Sequence, residues 1–268
     1  RIKNIEGLKL MGFNDNALSV DSLILSIDPR IKQASKKASE KIESLEAISV
    51  TPYVLDIDGE ITEQSWGAFL DSDILVIAIP SKNQTGFSAL IRVLESSSIK
   101  HVVFVSSTSV YADNNGVVTE DIAASESSAL FQIESLFCQS SVFTTTVVRC
   151  SGLVGYQRNP GRFFQKSGRS VSNPDAAVNM IHQDDCVELI TQIIKQEKWN
   201  NLFNACADSH PSKREFYTQA TQRIGVSTPE FIESDTQTFK IISNEKIKKG
   251  LGYEFIYPDV MQITYDEC

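Results

Sequence analysis

Two nearly unbroken apolar stretches stand out along the chain: residues 73–80 (Asp-Ile-Leu-Val-Ile-Ala-Ile-Pro) and residues 101–106 (His-Val-Val-Phe-Val-Ser). A strand with one wet face alternates apolar and polar positions. Runs without that alternation suit strands covered on both faces, as in a parallel sheet. Between them, Phe87, Leu90, Ile91, Val93 and Leu94 recur at helical spacing within residues 86–97. Strand, helix and strand make a βαβ unit, whose crossover is right-handed.

The alternation continues on both sides. Helices are predicted over residues 36–47, 125–139, 183–195, 213–224 and 244–251, the last followed by Gly252 and a turn at Pro258. Strands are predicted over 31–34, 52–55, 144–149 and 202–205, with 2–6 as a further candidate. Residues 13–30 are ambiguous: Asn14-Asp15-Asn16 breaks a helix, and the apolar run from Ser22 to Ile27 suits strand or helix. Alternating elements of this kind indicate an α/β fold, a Rossmann-type doubly wound sheet that is mostly parallel. No internal repeat interrupts it.

Composition narrows the function more than the fold. The chain has 268 residues, 41% of them hydrophobic and 22% charged, ordinary values for a globular protein. A net charge of −9 disfavours non-specific binding to nucleic acid or anionic membrane, but leaves room for a local basic pocket. The five cysteines (Cys138, Cys150, Cys186, Cys206 and Cys268) form no CxxC pair, which reads as reduced thiols of a cytoplasmic protein. With only His101, His182 and His210 as histidines, no metal-ligand spacing stands out, and no apolar run is long enough to span a bilayer.

A dinucleotide-binding fold opens with strand, glycine-rich turn and helix, the glycines letting the backbone approach the pyrophosphate. Here Gly7-Leu-Lys-Leu-Met-Gly12 supplies counterparts of the first and third glycines, with Lys9 at the second. The same spacing fits an ordinary strand–helix turn. After the strand candidate at 31–34 come Ser35, Lys36 and Lys37, where basic residues favour the extra phosphate of NADP over NAD. A lysine-rich, solvated helix start explains them equally well. Asp56 either approaches an adenine edge or caps a turn.

The middle of the chain carries a family resemblance. Val105-Ser-Ser-Thr-Ser-Val-Tyr111 resembles the Ser-Ser-x-x-Val-Tyr-Gly signature of extended short-chain dehydrogenases and nucleotide-sugar epimerases. Val148-Arg-Cys-Ser-Gly-Leu-Val-Gly155 resembles that family's Leu-Arg-x-x-x-Val-Tyr-Gly segment, and Val178-Asn-Met-Ile-His-Gln-Asp-Asp185 its Ile-His-Val-Asp-Asp motif. Asn204-Ala205 with 211–217 looks like its C-terminal strand and helix. Together with 159–164 and 250–258 these resemble an atypical, bacterial branch of the NAD-dependent epimerase/dehydratase family. The resemblance implies an NAD(P)-binding core over 1–155 and a mixed region over 156–268, which completes the sheet and forms a small C-terminal substrate-side subdomain. It implies cofactor contacts from Gly7, Gly12, Ser35, Lys36, Asp56, Ile79, Pro80 and Ser106. It also implies substrate contacts from Ser107, Arg162 and His182, and a homodimer as one possible assembly.

In active members a tyrosine and a lysine lie four apart on one helix face; the lysine lowers the tyrosine pKa and the tyrosine moves the proton. Aligning Glu134 with the family's helix glutamate puts Glu126 and Leu130 at those two positions, and no tyrosine or lysine occurs anywhere in 117–139. Ser107, Tyr111 and His182 remain as catalytic candidates. Tyr111 equally suits a packing role, and His182 a loop-orienting one. Arg149, Arg158 and Arg162 are candidate anion grips, Arg162 first among them because the Asn159-Pro-Gly161 turn presents it; an ordinary surface arginine explains it equally well. Two readings follow. One is an NAD(P)-dependent oxidoreductase or epimerase on a sugar- or nucleotide-like substrate with altered acid/base residues. The other is a non-catalytic dinucleotide-binding regulator or scaffold, with or without a bound cofactor.

Overall fold

The computed structural model describes residues 51, 53, 55–156, 158–165, 169–234 and 238–265. The candidate strands at 2–6 and 31–34, the helix at 36–47, and Gly7, Gly12, Ser35 and Lys36 lie outside them. The chain forms two compact units. Unit 1 takes the described residues up to Ser106 together with Ser125–Val148 and Ile190–Leu202, and unit 2 takes Ser107–Ala124, Arg149–Leu189 and the described residues from Phe203 onward.

Unit 1 is built on the predicted βαβ. Strands β1 (Ile74–Ile77) and β2 (His101–Ser107) pair in parallel, Ile74 beside His101 through Ile77 beside Phe104. Helix α2 (Gln84–Glu95) starts at Asn83, whose side chain accepts a hydrogen bond from the Gly86 amide at 3.0 Å, and buries Phe87, Leu90, Val93 and Leu94. A short helix, α1 (Glu63–Trp66), precedes β1 and delivers Trp66 to the core. Helix α3 (Ala129–Cys138) buries Ile133 and Phe137, and the Phe87 ring meets both Phe104 and Phe137 edge-on. Each such pair contributes about 0.5–1.5 kcal/mol beyond its area.

Strand β4 (Thr144–Cys150) and, after helix α4 (Gln183–Lys195), strand β8 (Leu202–Ala205) complete a four-stranded sheet of order β1-β2-β4-β8. The Val147 amide donates to Asn201 and the Ser151 amide to Ala205. That constant offset is the register of parallel strands. The predicted fold class, an α/β Rossmann-like layer around a mostly parallel sheet, is therefore what the chain adopts.

Unit 2 contains three parallel two-stranded ladders: β3 (Gly116–Val118) with β10 (Lys240–Ile242), β5 (Gly152–Val154) with β7 (Met180–His182), and β6 (Ser170–Ser172) with β9 (Glu230–Ile232). Helix α5 (Lys213–Arg223) opens on a capping box, Ser212 and Glu215 satisfying each other's backbone. Helix α6 (Glu245–Leu251) ends at Gly252 in the left-handed conformation, φ 61°. Val154, Val178, Ala207, Phe216, Val260 and Ile263 form a core of their own.

Two expectations are corrected. The helix predicted over 125–139 begins only at Ala129, where Ser128 accepts from the Phe131 amide as N-cap. Residues 125–128 offer three serines as caps, and the last one wins. The strand predicted over 52–55 is not formed at Tyr53 or Leu55, which lie in irregular backbone.

Candidate functional site

In unit 2 the chain leaves β2 at Ser107. The Ser107 hydroxyl accepts from the Ser109 amide at 3.1 Å and starts a 3-10 turn, Thr108–Val110. Tyr111 follows and is only 2% exposed. Its hydroxyl donates to Asn204 Oδ1 at 3.0 Å, and the Arg149 guanidinium lies 4.7 Å from its ring centre. Burial pushes the Tyr111 hydroxyl above its ordinary value. Lys240 holds the same loop from outside, donating to the Tyr111 carbonyl at 2.8 Å and to Asp113 at 3.0 Å. Ser107, half-buried, thus sits on a loop tied down by Tyr111, Arg149 and Lys240, with Tyr111 as an anchor.

The second arrangement gathers around His182, at the end of β7 and 2% exposed. The Asp184 amide donates to His182 Nδ1 at 3.1 Å, so that nitrogen carries a lone pair and the neutral ring's proton sits on Nε2. Burial lowers the His182 pKa, against a smaller opposing pull from Asp184, whose carboxylate is 3.6 Å away. The Tyr257 ring lies 3.8 Å from the imidazole, centre to centre. On the remaining side stands Gly155, at φ +114°; a Cβ there would fall 2.3 Å from His182 Nε2. His182 is thus packed between the Tyr257 ring and Gly155 of the loop after β5, with Nδ1 already engaged.

That loop presents Tyr156, a residue sequence reasoning did not single out. It adopts φ 47°, uncommon for a residue with a side chain, and its hydroxyl donates to Asp184 at 2.7 Å. The sequence signal was weak: an aromatic residue directly after the loop glycine. Asp185, the next residue in α4, is fully buried. It accepts from the Tyr253 hydroxyl and the Ile256 amide, both at 2.7 Å, and from the Tyr257 amide at 3.1 Å. Burial raises the Asp185 pKa while those three donors pull it down. The paired aspartates thus do two jobs: one holds Tyr156, the other pins the C-terminal segment. Both lie in the first turn of α4, where negative charge suits the helix dipole.

Arg162 lies, half-buried, in the 3-10 segment Pro160–Phe164, which Asn159 caps by accepting from the Gly161 amide at 2.8 Å. The expected turn is present, and it is pressed onto α5: a Cβ at Gly161 would meet the Ala220 carbonyl at 2.3 Å.

The described cofactor candidates belong to unit 1. Asp56 closes a turn, accepting from the Asp58 amide at 3.1 Å while its carbonyl accepts from Gly59. Ile79 is half-buried against the unit 1 core and Pro80 is exposed, just beyond the carboxyl end of β1. An adenosine calls for a carboxylate acceptor and an apolar ledge, and these three residues are of those chemical kinds. Ser106 is buried, and its hydroxyl donates to the buried carboxylate of Glu134 in α3. Glu126 is exposed on the turn before α3, and Leu130, in the first turn of that helix, packs against the core. Because Glu126 lies outside the helix, the shared helix face that the tyrosine–lysine pair requires is not formed at these two positions.

Among the described residues, no cluster of three or more His, Cys, Asp or Glu side chains is placed to hold a metal. No helix among them is long and apolar enough to cross a membrane.

No family model matches the chain. It is 30% identical over 240 residues to protein YeeZ of Escherichia coli K12, covering 84% of this chain and 87% of that protein. The UDP-glucuronic acid 4-epimerase of Bacillus cereus, solved with NAD, superposes with a TM-score of 0.65 at 15% identity, covering 83% of this chain and 81% of the other. The human epimerase family protein SDR39U1, solved with NADPH, superposes with a TM-score of 0.60 at 13% identity, covering 81% and 90%.

Proposed function

The chain belongs to the YeeZ-like branch of the atypical extended short-chain dehydrogenases, and we propose that it binds NAD(P) and a sugar- or nucleotide-like small molecule without the tyrosine–lysine relay of active family members. The observation that carries this reading is the contrast between two of the family's motifs, each taken by itself. Ser107 stands on a loop braced by Tyr111, Arg149 and Lys240. The helix that should supply the proton relay starts after Glu126 and packs Leu130 against the core.

In this reading Asp56, Ile79 and Pro80 hold the adenosine end of the cofactor. Gly7, Gly12, Ser35 and Lys36 are assigned to its phosphates, Lys36 favouring NADP. The nicotinamide supplies hydride chemistry when bound. Ser107 donates to an oxygen of the ligand and Arg162 faces its anionic group. Tyr111 and His182 act through the loops they hold, since each is buried with a ring atom or hydroxyl already engaged.

Titration of NADH and NADPH, followed by nicotinamide fluorescence and thermal shift, tests the reading. Saturable binding, tighter for NADPH, is expected; no binding of either at millimolar concentration overturns it. Ser107→Ala should then weaken binding of the small-molecule ligand about tenfold, the cost of one hydrogen bond, and leave cofactor affinity unchanged.

One observation favours a second reading, an oxidoreductase or epimerase with a relocated proton carrier: the Tyr156 hydroxyl rests on the Asp184 carboxylate at 2.7 Å. If it holds, Tyr156→Phe abolishes NADPH-dependent reduction of sugar and ketone substrates while Tyr111→Phe retains it. The absence of any such turnover in the parent protein leaves the non-catalytic reading in place.

A further inference from the structure

Three cysteines of unit 2 are buried: Cys150, Cys186 and Cys206. Neither the proposed binding site nor its loops use their thiols. Cys150 is the last residue of β4 and Cys186 lies in the first turn of α4. Their sulfurs are 3.2 Å apart, with the two residues 7% and 1% exposed. A disulfide needs a sulfur–sulfur distance of about 2 Å, so closure requires roughly 1 Å of combined movement, within what two side-chain torsions supply.

The position of this pair along the chain gives it a consequence. The segment it would close, 151–185, contains Gly155 and Tyr156, the 3-10 turn carrying Arg162, and both His182 and Asp184. Tyr156, Arg162, His182 and Asp184 all lie inside that ring. The backbone at its two ends is already fixed, by the Ser151 amide on Ala205 and by the contacts of Asp185 with Ile256 and Tyr257.

We propose that Cys150 and Cys186 are a redox-active dithiol, oxidised by small hydroperoxides to an intramolecular disulfide that locks the 151–185 loop. Cys150, the more exposed, is oxidised first. Its sulfur attacks the peroxide, taking one oxygen to become a sulfenic acid, and the peroxide leaves as an alcohol or water. The Cys186 sulfur then displaces hydroxide from that sulfenic acid, its own proton leaving with the hydroxide as water. Two thiols lose two electrons, and the peroxide oxygen–oxygen bond accepts them. The contact with Cys150 and burial push the Cys186 thiol well above the ordinary range, which argues against its being the thiol that meets the peroxide first.

The test uses the full chain in a Cys138→Ser/Cys268→Ser background, which removes the exposed thiol Cys138 and the terminal one. The protein is treated with hydrogen peroxide, quenched, unfolded, alkylated and digested without reductant. A linked peptide pair containing Cys150 and Cys186 is expected, with the intact protein lighter by about 2 Da, the two hydrogens lost. Dithiothreitol should reverse it. Cys186→Ser should instead leave Cys150 as a sulfenic acid trapped by dimedone, and Cys150→Ser should leave Cys186 unmodified. The oxidised form should also resist proteolysis within 151–185 more than the reduced form. Recovery of both cysteines as alkylated thiols, under peroxide sufficient to oxidise Cys138 in the parent, overturns the proposal; so does a Cys206-containing disulfide. This mass readout does not depend on cofactor binding, so it fails or succeeds separately from the proposed function.

Discussion

Gly155→Ala is the substitution whose consequence the geometry defines most closely. At φ +114° a residue with a side chain is in a region essentially reserved for glycine, a cost of about 1–3 kcal/mol. The new methyl would also lie 2.3 Å from His182 Nε2 and 2.6 Å from Cδ2. The imidazole has no easy retreat: the Asp184 amide holds Nδ1 at 3.1 Å and the Tyr257 ring lies against it at 3.8 Å. Overpacking of this kind costs a further ~1–3 kcal/mol. The two terms sum to roughly 2–6 kcal/mol, a large share of an ordinary domain's stability. They can be separated, because His182→Ala removes the clash and leaves the backbone strain. Urea unfolding of both single variants and the double variant measures this. The probe should be near-ultraviolet circular dichroism of the tyrosines, since both tryptophans, Trp66 and Trp199, belong to unit 1. We expect the double variant to be more stable than the sum of the two single losses by about 1–3 kcal/mol, the clash term. A Gly155→Ala loss below about 0.5 kcal/mol, or strict additivity, would refute the reasoning.

Two further outcomes follow from the same unit. Asp185→Ala leaves the Ile256 and Tyr257 amides and the Tyr253 hydroxyl without their acceptor. It should cost about 3–5 kcal/mol and free the C-terminal segment, so chymotrypsin should cut the variant after Tyr253 or Phe255 well before the parent. The second outcome concerns pH. His182 has a folded pKa below its ordinary 6.5 because burial disfavours the charged ring. Below pH 6.5 the unfolded chain therefore takes up a proton that the folded chain refuses. Its contribution is complete above that pH and is lost as pH falls toward the folded value. Between about pH 7.5 and about pH 5.5 the parent's melting temperature should fall more than that of His182→Gln; equal slopes would contradict the buried neutral ring.

Where burial on both faces dictated residue type, the fold was legible in the chain. The runs at 73–80 and 101–106 became β1 and β2, and helix α4 and strand β8 took the expected bounds, 183–195 and 202–205. Apolar side chains at those positions have one low-energy destination, whatever the rest of the protein does. The ordered motifs around Ser107, Gly155 and His182 were legible for a related reason: each needs particular chemistry at fixed spacing. The three-residue ladders of unit 2 were not, because so short a strand contains too few positions for a period to show. The start of α3 was not legible either. Ser125, Ser127 and Ser128 cap equally well as isolated residues, and packing of Ile133 and Phe137 selected Ser128, leaving Glu126 outside the helix. Side-chain contacts were the least legible of all. Sequence offered Tyr111 and His182 as catalytic candidates and left each with two roles. Only the folded chain supplied Asn204 to the one, and Gly155, the Asp184 amide and Tyr257 to the other. A hydrogen-bonding group's task depends on which partners burial brings within about 3 Å, and those partners come from segments distant in sequence.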